Sequence, residues 1–227
     1  MRSFVLIACL LIAGSAYSSD LSSITRTDAT SALRTALTQG ASKAVAQLGQ
    51  ADGFLLNPEV KIPLPPQLQQ GERLLRRFGF GAMADQLETT MNRAAEAAVS
   101  EAKPLLINTV KAMSVADAKA ILIGGDDSAT QYFRNKTQTA LAEKFKPIVM
   151  QATGKVGVKQ HYNSLAGKAA QFGLLDPATA DIDDYVTARA LDGLFKMIAK
   201  EEFAIRQDPI GQSSKLLKKV FGALEVN

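Results

Sequence analysis

Few side chains in this 227-residue chain could do chemistry, and that scarcity constrains its function first. His161 is the only histidine, so a His-dependent triad or a His-ligated zinc site has to use it. No HExxH motif surrounds it, and Lys159, Gln160 and Tyr162 read as an ordinary helix start. Cys9 is the only cysteine and sits inside an apolar run near the N-terminus. Neither a GxSxG elbow nor a GK[ST] phosphate loop occurs. Gly124-Gly125-Asp126-Asp127 reads as a helix stop followed by a helix cap. The four aspartates between 176 and 184 lack the alternating ligands, central glycine and final glutamate of a calcium loop. The residues therefore imply no metal ion and no cofactor.

The sharper anomalies are carboxylates on apolar helix faces. Glu88 and Glu201 both occupy such positions by helical periodicity. Burying a carboxylate is costly unless it is paired or protonated, and Arg93, Arg206 and Lys61 are candidate partners. Two readings stay open. The acids can form ion pairs that fix helix register. Alternatively, Glu88, Glu96 or Glu201 can act as acid or base in a hydrolase or lyase, for which the residues identify no confirmed catalytic group.

The elements that must position these side chains read as helices. The chain is 47% hydrophobic and 21% charged, which is a globular balance and excludes wholesale disorder. Aromatics make up only 6% and tryptophan is absent, so alanine and leucine supply the core and favour helix over sheet. Leu33, Ala36, Leu37, Ala41, Ala44, Val45 and Leu48 form one face of a first helix that Gly49 ends. A second helix is expected over 66–78. A third carries a narrow alanine-rich stripe through Leu87, Met91, Ala94, Ala95, Ala98, Val99 and Ala102, with Asn92 and Glu96 at its flank and Arg93 opposite. Pro104 kinks or restarts it. Ser114 to Asp117 resembles a capping sequence. A longer helix capped by Asp126 or Asp127 follows, and Pro147 is expected to bend or break it. A further helix spans 185–206, and Ser213 or Ser214 starts a last one.

Between the first two helices, residues 49–66 read GQADGFLLNPEVKIPLPP. Val60-Lys61-Ile62 alternates like a strand, but the neighbouring prolines allow at most a short edge strand or an extended arm. Its apolar residues suggest that it packs and can wall a site. The fold expected is all-α: a single helical domain of about seven to eight helices over residues 19–227, with one extended Pro-rich arm.

Residues 1–18 have the layout of a secretory signal peptide: Arg2, an apolar run from Phe4 to Ala13, then small residues with cleavage sites after Ala16 or Ser18. A periplasmic protein is expected. Lipoprotein anchoring at Cys9 is the minor alternative, because the apolar run continues past the cysteine. Removing the signal deletes Arg2 and no acid, lowering the net charge of +4 by one. The basic clusters Arg73, Arg76, Arg77 and Lys215, Lys218, Lys219 are short, and no nucleic-acid-binding motif accompanies them. No nucleic acid partner is expected; an anionic membrane surface fits the clusters better.

Several blocks together carry a family resemblance. They include Asp52-Gly53-Phe54 with Asn57, Lys61-Ile62-Pro63-Leu64-Pro65, Met91-Asn92-Arg93-Ala94-Ala95-Glu96 and Ala129-Thr130-Gln131-Tyr132-Phe133. Ala32-Leu33 with Gly40 and Ala44-Val45, Leu191-Asp192-Gly193-Leu194-Phe195, Ile205-Arg206 with Asp208-Pro209, and Lys219-Val220-Phe221-Gly222 complete the set. From Ala32 to Gly222 the chain resembles the bacterial domain of unknown function 4197 family. The resemblance implies an exported, all-helical protein and supplies no activity. It makes Asn57, Lys61, Asn92, Arg93, Glu96, Arg206 and Asp208 the candidate polar site. The leading expectation is a non-enzymatic periplasmic module that binds an apolar ligand, an anionic membrane surface or an envelope protein partner. A carboxylate-based hydrolase or lyase and an envelope scaffold oligomer are the alternatives.

Overall fold

Alanine-rich faces let helices approach closely, and the core of this chain is built from such helices together with apolar side chains of the arm. A computed structural model describes residues 26–66, 69, 76–77, 81–154, 159 and 181–207. The signal sequence, Cys9, His161, Asp208 and the final helix lie outside the described residues, as does most of the helix expected over 66–78. Six helices are described: α1 (Arg26–Gly49), α2 (Gly81–Ser100), α3 (Lys103–Lys111), α4 (Val115–Ile123), α5 (Ser128–Thr153) and α6 (Ile182–Gln207). The fold is all-α, with no strand among the described residues. None of the described helices is long and apolar enough to cross a membrane.

α5 packs chiefly against α6 and α2, while α1 lies across α6, α2 and α3. The α2 stripe expected from periodicity is fully buried from Leu87 to Ala102. The small side chains of Ala94, Ala95 and Ala98 leave room for Phe54, Phe133, Phe145 and Phe195, the largest side chains sealed in the interior. Asn92 and Glu96, expected at the flank of that stripe, are buried as well. Glu88, expected inside it, is only half-buried and turns outward to an ion pair with Lys61.

The helix boundaries follow local chemistry. The chain breaks after Ser100 and restarts at Lys103 with Pro104 in the first turn, where a missing N–H costs nothing. Ser114 and Asp117 form a reciprocal capping box at the start of α4. Two expectations at α5 need correction. Asp127 occupies the N-cap position but its side chain makes no cap bond. Pro147 does not end the helix, which runs on to Thr153. Glu143 and Pro147 are both exposed, so the proline and the residue whose carbonyl loses its partner lie outside the packed face of the helix.

Residues 50–66 leave α1, turn, and cross α2 and α6 in extended form. Gly193 permits this crossing. A Cβ there would lie 2.6 Å from the Phe54 ring and 3.4 Å from Val60 Cβ.

Two outcomes test this account. Helix propensity alone favours alanine over glycine by about 1 kcal/mol. Gly193→Ala is nevertheless expected to lose about 1–2 kcal/mol in urea unfolding, because the buried Phe54 ring cannot move aside freely. The Asp117 carboxyl is held below its ordinary pKa, first by the Ser114 hydroxyl and then by the Ser114 N–H. A depressed carboxyl stabilises the fold above its ordinary titration range and loses that contribution as pH falls through its folded value. Asp117→Asn should therefore lower Tm at neutral pH, with the difference from the parent closing below about pH 4.

Candidate functional site

Turns within residues 50–61 pair several of the arm's own backbone groups, and α2 partners others that those turns leave open. Asp52 sits at a positive φ of 67°, a conformation that aspartate tolerates better than most residues. Gly53 follows, where a Cβ would lie 2.4 Å from the Leu48 carbonyl oxygen. This tight turn aims the Phe54 and Leu55 N–H groups at Glu96, whose Oε1 accepts both at 3.1 and 3.2 Å. Arg93 neutralises the same carboxylate, donating from Nη1 to Glu96 Oε2 at 2.8 Å and from Nη2 to Asp52 Oδ1 at 2.7 Å.

One turn earlier on α2, Asn92 holds Ile62 by both backbone groups. Its Oδ1 accepts from the Ile62 N–H at 2.8 Å and its Nδ2 donates to the Ile62 carbonyl at 2.9 Å. The amide thus takes the place of a neighbouring strand. Val60, Ile62 and Leu64 point inward, and Lys61 and Pro63 point out. Lys61 reaches back to Glu88. The Asn57 side chain accepts from the Glu59 N–H at 3.1 Å, and its carbonyl accepts from the N–H groups of Val60 and Lys61.

The opposite side of the arm faces α6 across a groove of about 420 Å³. Its walls are Glu59 to Pro63 and Pro66 on the arm, and Tyr185, Arg189, Asp192, Gly193 and Lys196 on α6. Polar bonds span it. The Tyr185 hydroxyl donates to the Pro63 carbonyl at 3.2 Å, and Lys196 Nζ donates to the Glu59 carbonyl at 2.7 Å. Lys200 donates to the Glu59 carboxylate at 2.7 Å and holds it below its ordinary pKa. Burial pushes the Tyr185 hydroxyl up, against a smaller opposing effect of Arg189. The Arg189 guanidinium lies over the Tyr185 ring, 5.4 Å from its centroid.

A second polar cluster lies elsewhere. Glu202 on α6 caps the start of α5, accepting from the N–H groups of Ala129 and Thr130 at 2.9 and 2.8 Å and from the Thr130 hydroxyl at 2.8 Å. Arg206 donates to Glu202 at 2.8 Å, to Ser128 Oγ at 2.7 Å and to the Ile121 carbonyl at 3.1 Å. Glu201 pairs with Lys43 at 2.8 Å. At the far ends of the same helices, Asp183 accepts from Thr153 and pairs with Lys159 at 2.5 Å.

A sequence profile described as "Protein of unknown function (DUF4197)" matches residues 23–222. The chain belongs to the DUF4197 family. No curated protein and no solved structure shows a significant match. In this DUF4197 chain the structure gathers Asn57, Lys61, Asn92, Arg93 and Glu96, together with Glu88, along the contact between arm and α2. Arg206 and Glu201 stand apart from that contact, each with its own partner, and Asp208 lies outside the described residues. Glu88, Glu96 and Glu201 are each engaged by a different partner set. No group of three or more His, Cys, Asp or Glu side chains among the described residues could hold a metal ion.

Sequence reading passed over Glu202, Tyr185, Arg189 and Lys196 as site residues. Glu202 carries a visible signal: Leu191, Phe195, Ile198 and Ile205 share its helical face at spacings of three and four. The groove residues carry none, since spacing of three and four on the polar face of α6 reads as a solvated surface.

Removing one member of each clasp should separate them. Asn92→Ala leaves both buried polar groups of Ile62 without partners. It is expected to cost about 2–4 kcal/mol and to accelerate amide exchange at Ile62. Glu202→Ala strands the α5 amides and Arg206 and should cost about 3 kcal/mol in chemical unfolding. Glu201→Ala, whose Lys43 partner is largely exposed, should cost under about 1 kcal/mol.

Proposed function

We propose that this DUF4197 protein is an exported, non-catalytic binding module whose ligand lies in the groove between arm and α6. The groove is the observation that carries the reading. Its volume of about 420 Å³ falls within the range of roughly 300–1,000 Å³ occupied by small-molecule sites. One wall is the arm, which Asn92 and Glu96 hold against α2, so the site is pre-formed. The carboxylates with unusual positions are spent on backbone caps and ion pairs, which favours binding over acid–base chemistry. The pattern of residues 1–18 supports export to the periplasm.

Native mass spectrometry of the full-length gene product purified from its own host tests the proposal. The expected spectrum shows a chain beginning after residue 16 or 18 and carrying an additional small mass that denaturation releases. A bare chain, with no change in the amide signals of residues 59–66 and 185–196 on adding host periplasmic extract, would overturn it.

A further inference from the structure

α4 carries apolar side chains on the side that faces solvent. It rests chiefly on α1 and α5, burying Ala118 and Ile121 with Leu122 half-buried beside them. The opposite face of a surface helix is ordinarily polar. Here Ala116, Lys119, Ala120 and Ile123 share that face at helical spacing, with Val115 at its edge. All five are exposed, Val115 at 56% and Ile123 at 72%. Lys119 is the only charge among them. The other charge of the helix, Asp117, is turned back onto Ser114 by the capping box.

The charges around this face have a direction. Lys111, three residues before the cap, is exposed. Lys136 on α5 lies near enough to Asp117 to help lower its pKa. Together with Lys119 they make the face basic from its N-terminal end to its middle, and none of the three has an ion pair among the described residues. Asp126 and Asp127 are exposed just beyond the C-terminal end, where Asp127 accepts a bond from Gln131. The face therefore runs from positive to negative with apolar side chains between. An anionic membrane would repel the aspartate end. A second copy turned antiparallel sets the lysines of each chain against the aspartates of the other, and it also opposes the two helix dipoles.

We propose that α4 is a self-association face, through which two copies of this chain pair about a two-fold axis with their α4 helices antiparallel. Ile123 of each copy packs over Ala116 and Ala120 of the other. Lys111 and Lys119 of each copy face Asp126 and Asp127 of the other. One geometry thus satisfies both halves of the contact, as an isologous interface requires. The proposal uses a different surface from the groove and does not depend on it. A nine-residue helix offers less area than the roughly 1,200–2,000 Å² that stable complexes bury, so the dimer is weak and reversible.

Sedimentation equilibrium of the gene product purified from its own host tests the proposal, over concentrations from about 10 µM to 1 mM suited to a weak interface. The average mass is expected to rise with concentration toward two chains, and less steeply as salt is added. Ile123→Lys should weaken the dimer at least about tenfold, because it places a charge in the apolar centre of the contact. Ile123 is exposed in the single chain, so this replacement leaves the core intact. Lys119→Glu alone, and Asp126→Lys with Asp127→Lys, should each reduce self-association. Mixed in equal amounts, these two variants should associate with each other about as well as the parent does with itself, because every charge in the mixed pair again meets its opposite. Mixing does not repair a misfolded chain, so this arm separates pairing from structural damage.

A monomer at every concentration would overturn the proposal. If the α4 amides of that monomer then shift on adding phosphatidylglycerol vesicles, a lipid surface is the occupant instead. A dimer unaffected by Ile123→Lys would place the contact elsewhere and overturn the role of α4. Charge variants that associate no better mixed than apart would overturn the antiparallel pairing.

Discussion

The structure depends on one requirement: a buried extended segment without a sheet still has to satisfy its backbone. Prolines at positions 58, 63, 65 and 66 prevent the arm from pairing as a strand. Its apolar side chains nevertheless belong in the core, which carries the peptide groups of Phe54 and Ile62 inside with them. Each unpaired buried peptide group would cost about as much as a lost hydrogen bond. Asn92 and Glu96 resolve this from one helix. They lie four residues apart on α2, one turn along the same face, and so meet the arm at two points. Those two contacts fix the arm against α2, while Tyr185, Lys196 and Lys200 tie it to α6.

The two buried glutamates that accept backbone bonds use the same device. Glu96 receives two N–H groups of a turn, and Glu202 receives two N–H groups at the start of a helix. Each has an arginine on its own helix within one turn, Arg93 at three residues before and Arg206 at four residues after. A carboxylate that is hydrogen-bonded and paired with a guanidinium avoids the cost of an unpartnered buried charge. The arginines extend the network further, Arg93 to Asp52 and Arg206 to Ser128 and Ile121. Charge here organises backbone.

The helices were legible because their signals are local. Periodicity located the buried faces of α1, α2 and α6, Ser114 to Asp117 announced a cap, and Pro104 marked a restart. Pro147 did not break α5, since it lies on the exposed side of the helix, a matter that the presence of a proline alone does not encode. The arm was recognisable as extended from its prolines, but its partners were not, since Asn92 and Ile62 meet across 30 residues. Asn92 and Glu96 stood out as polar residues bordering an apolar stripe, with Arg93 on the side opposite it. Glu202 looked like one more charged residue beside Glu201, although its face is shared with Ile198 and Ile205. The groove was hidden for a different reason. It is the space left between two elements, and no residue pattern marks a gap.

The cap on α5 also ties together distant stages of assembly. The first amides of this helix are satisfied by a residue 73 positions later in the chain. Until α6 is in place, those amides have only water as a partner and the first turn of α5 frays. Closing that contact carries the entropic cost of a long loop, so it forms late relative to the local helices. The central helix of the molecule is thus completed by its last described helix, and a chain shortened before Glu202 lacks the start of α5 as well as the end of α6.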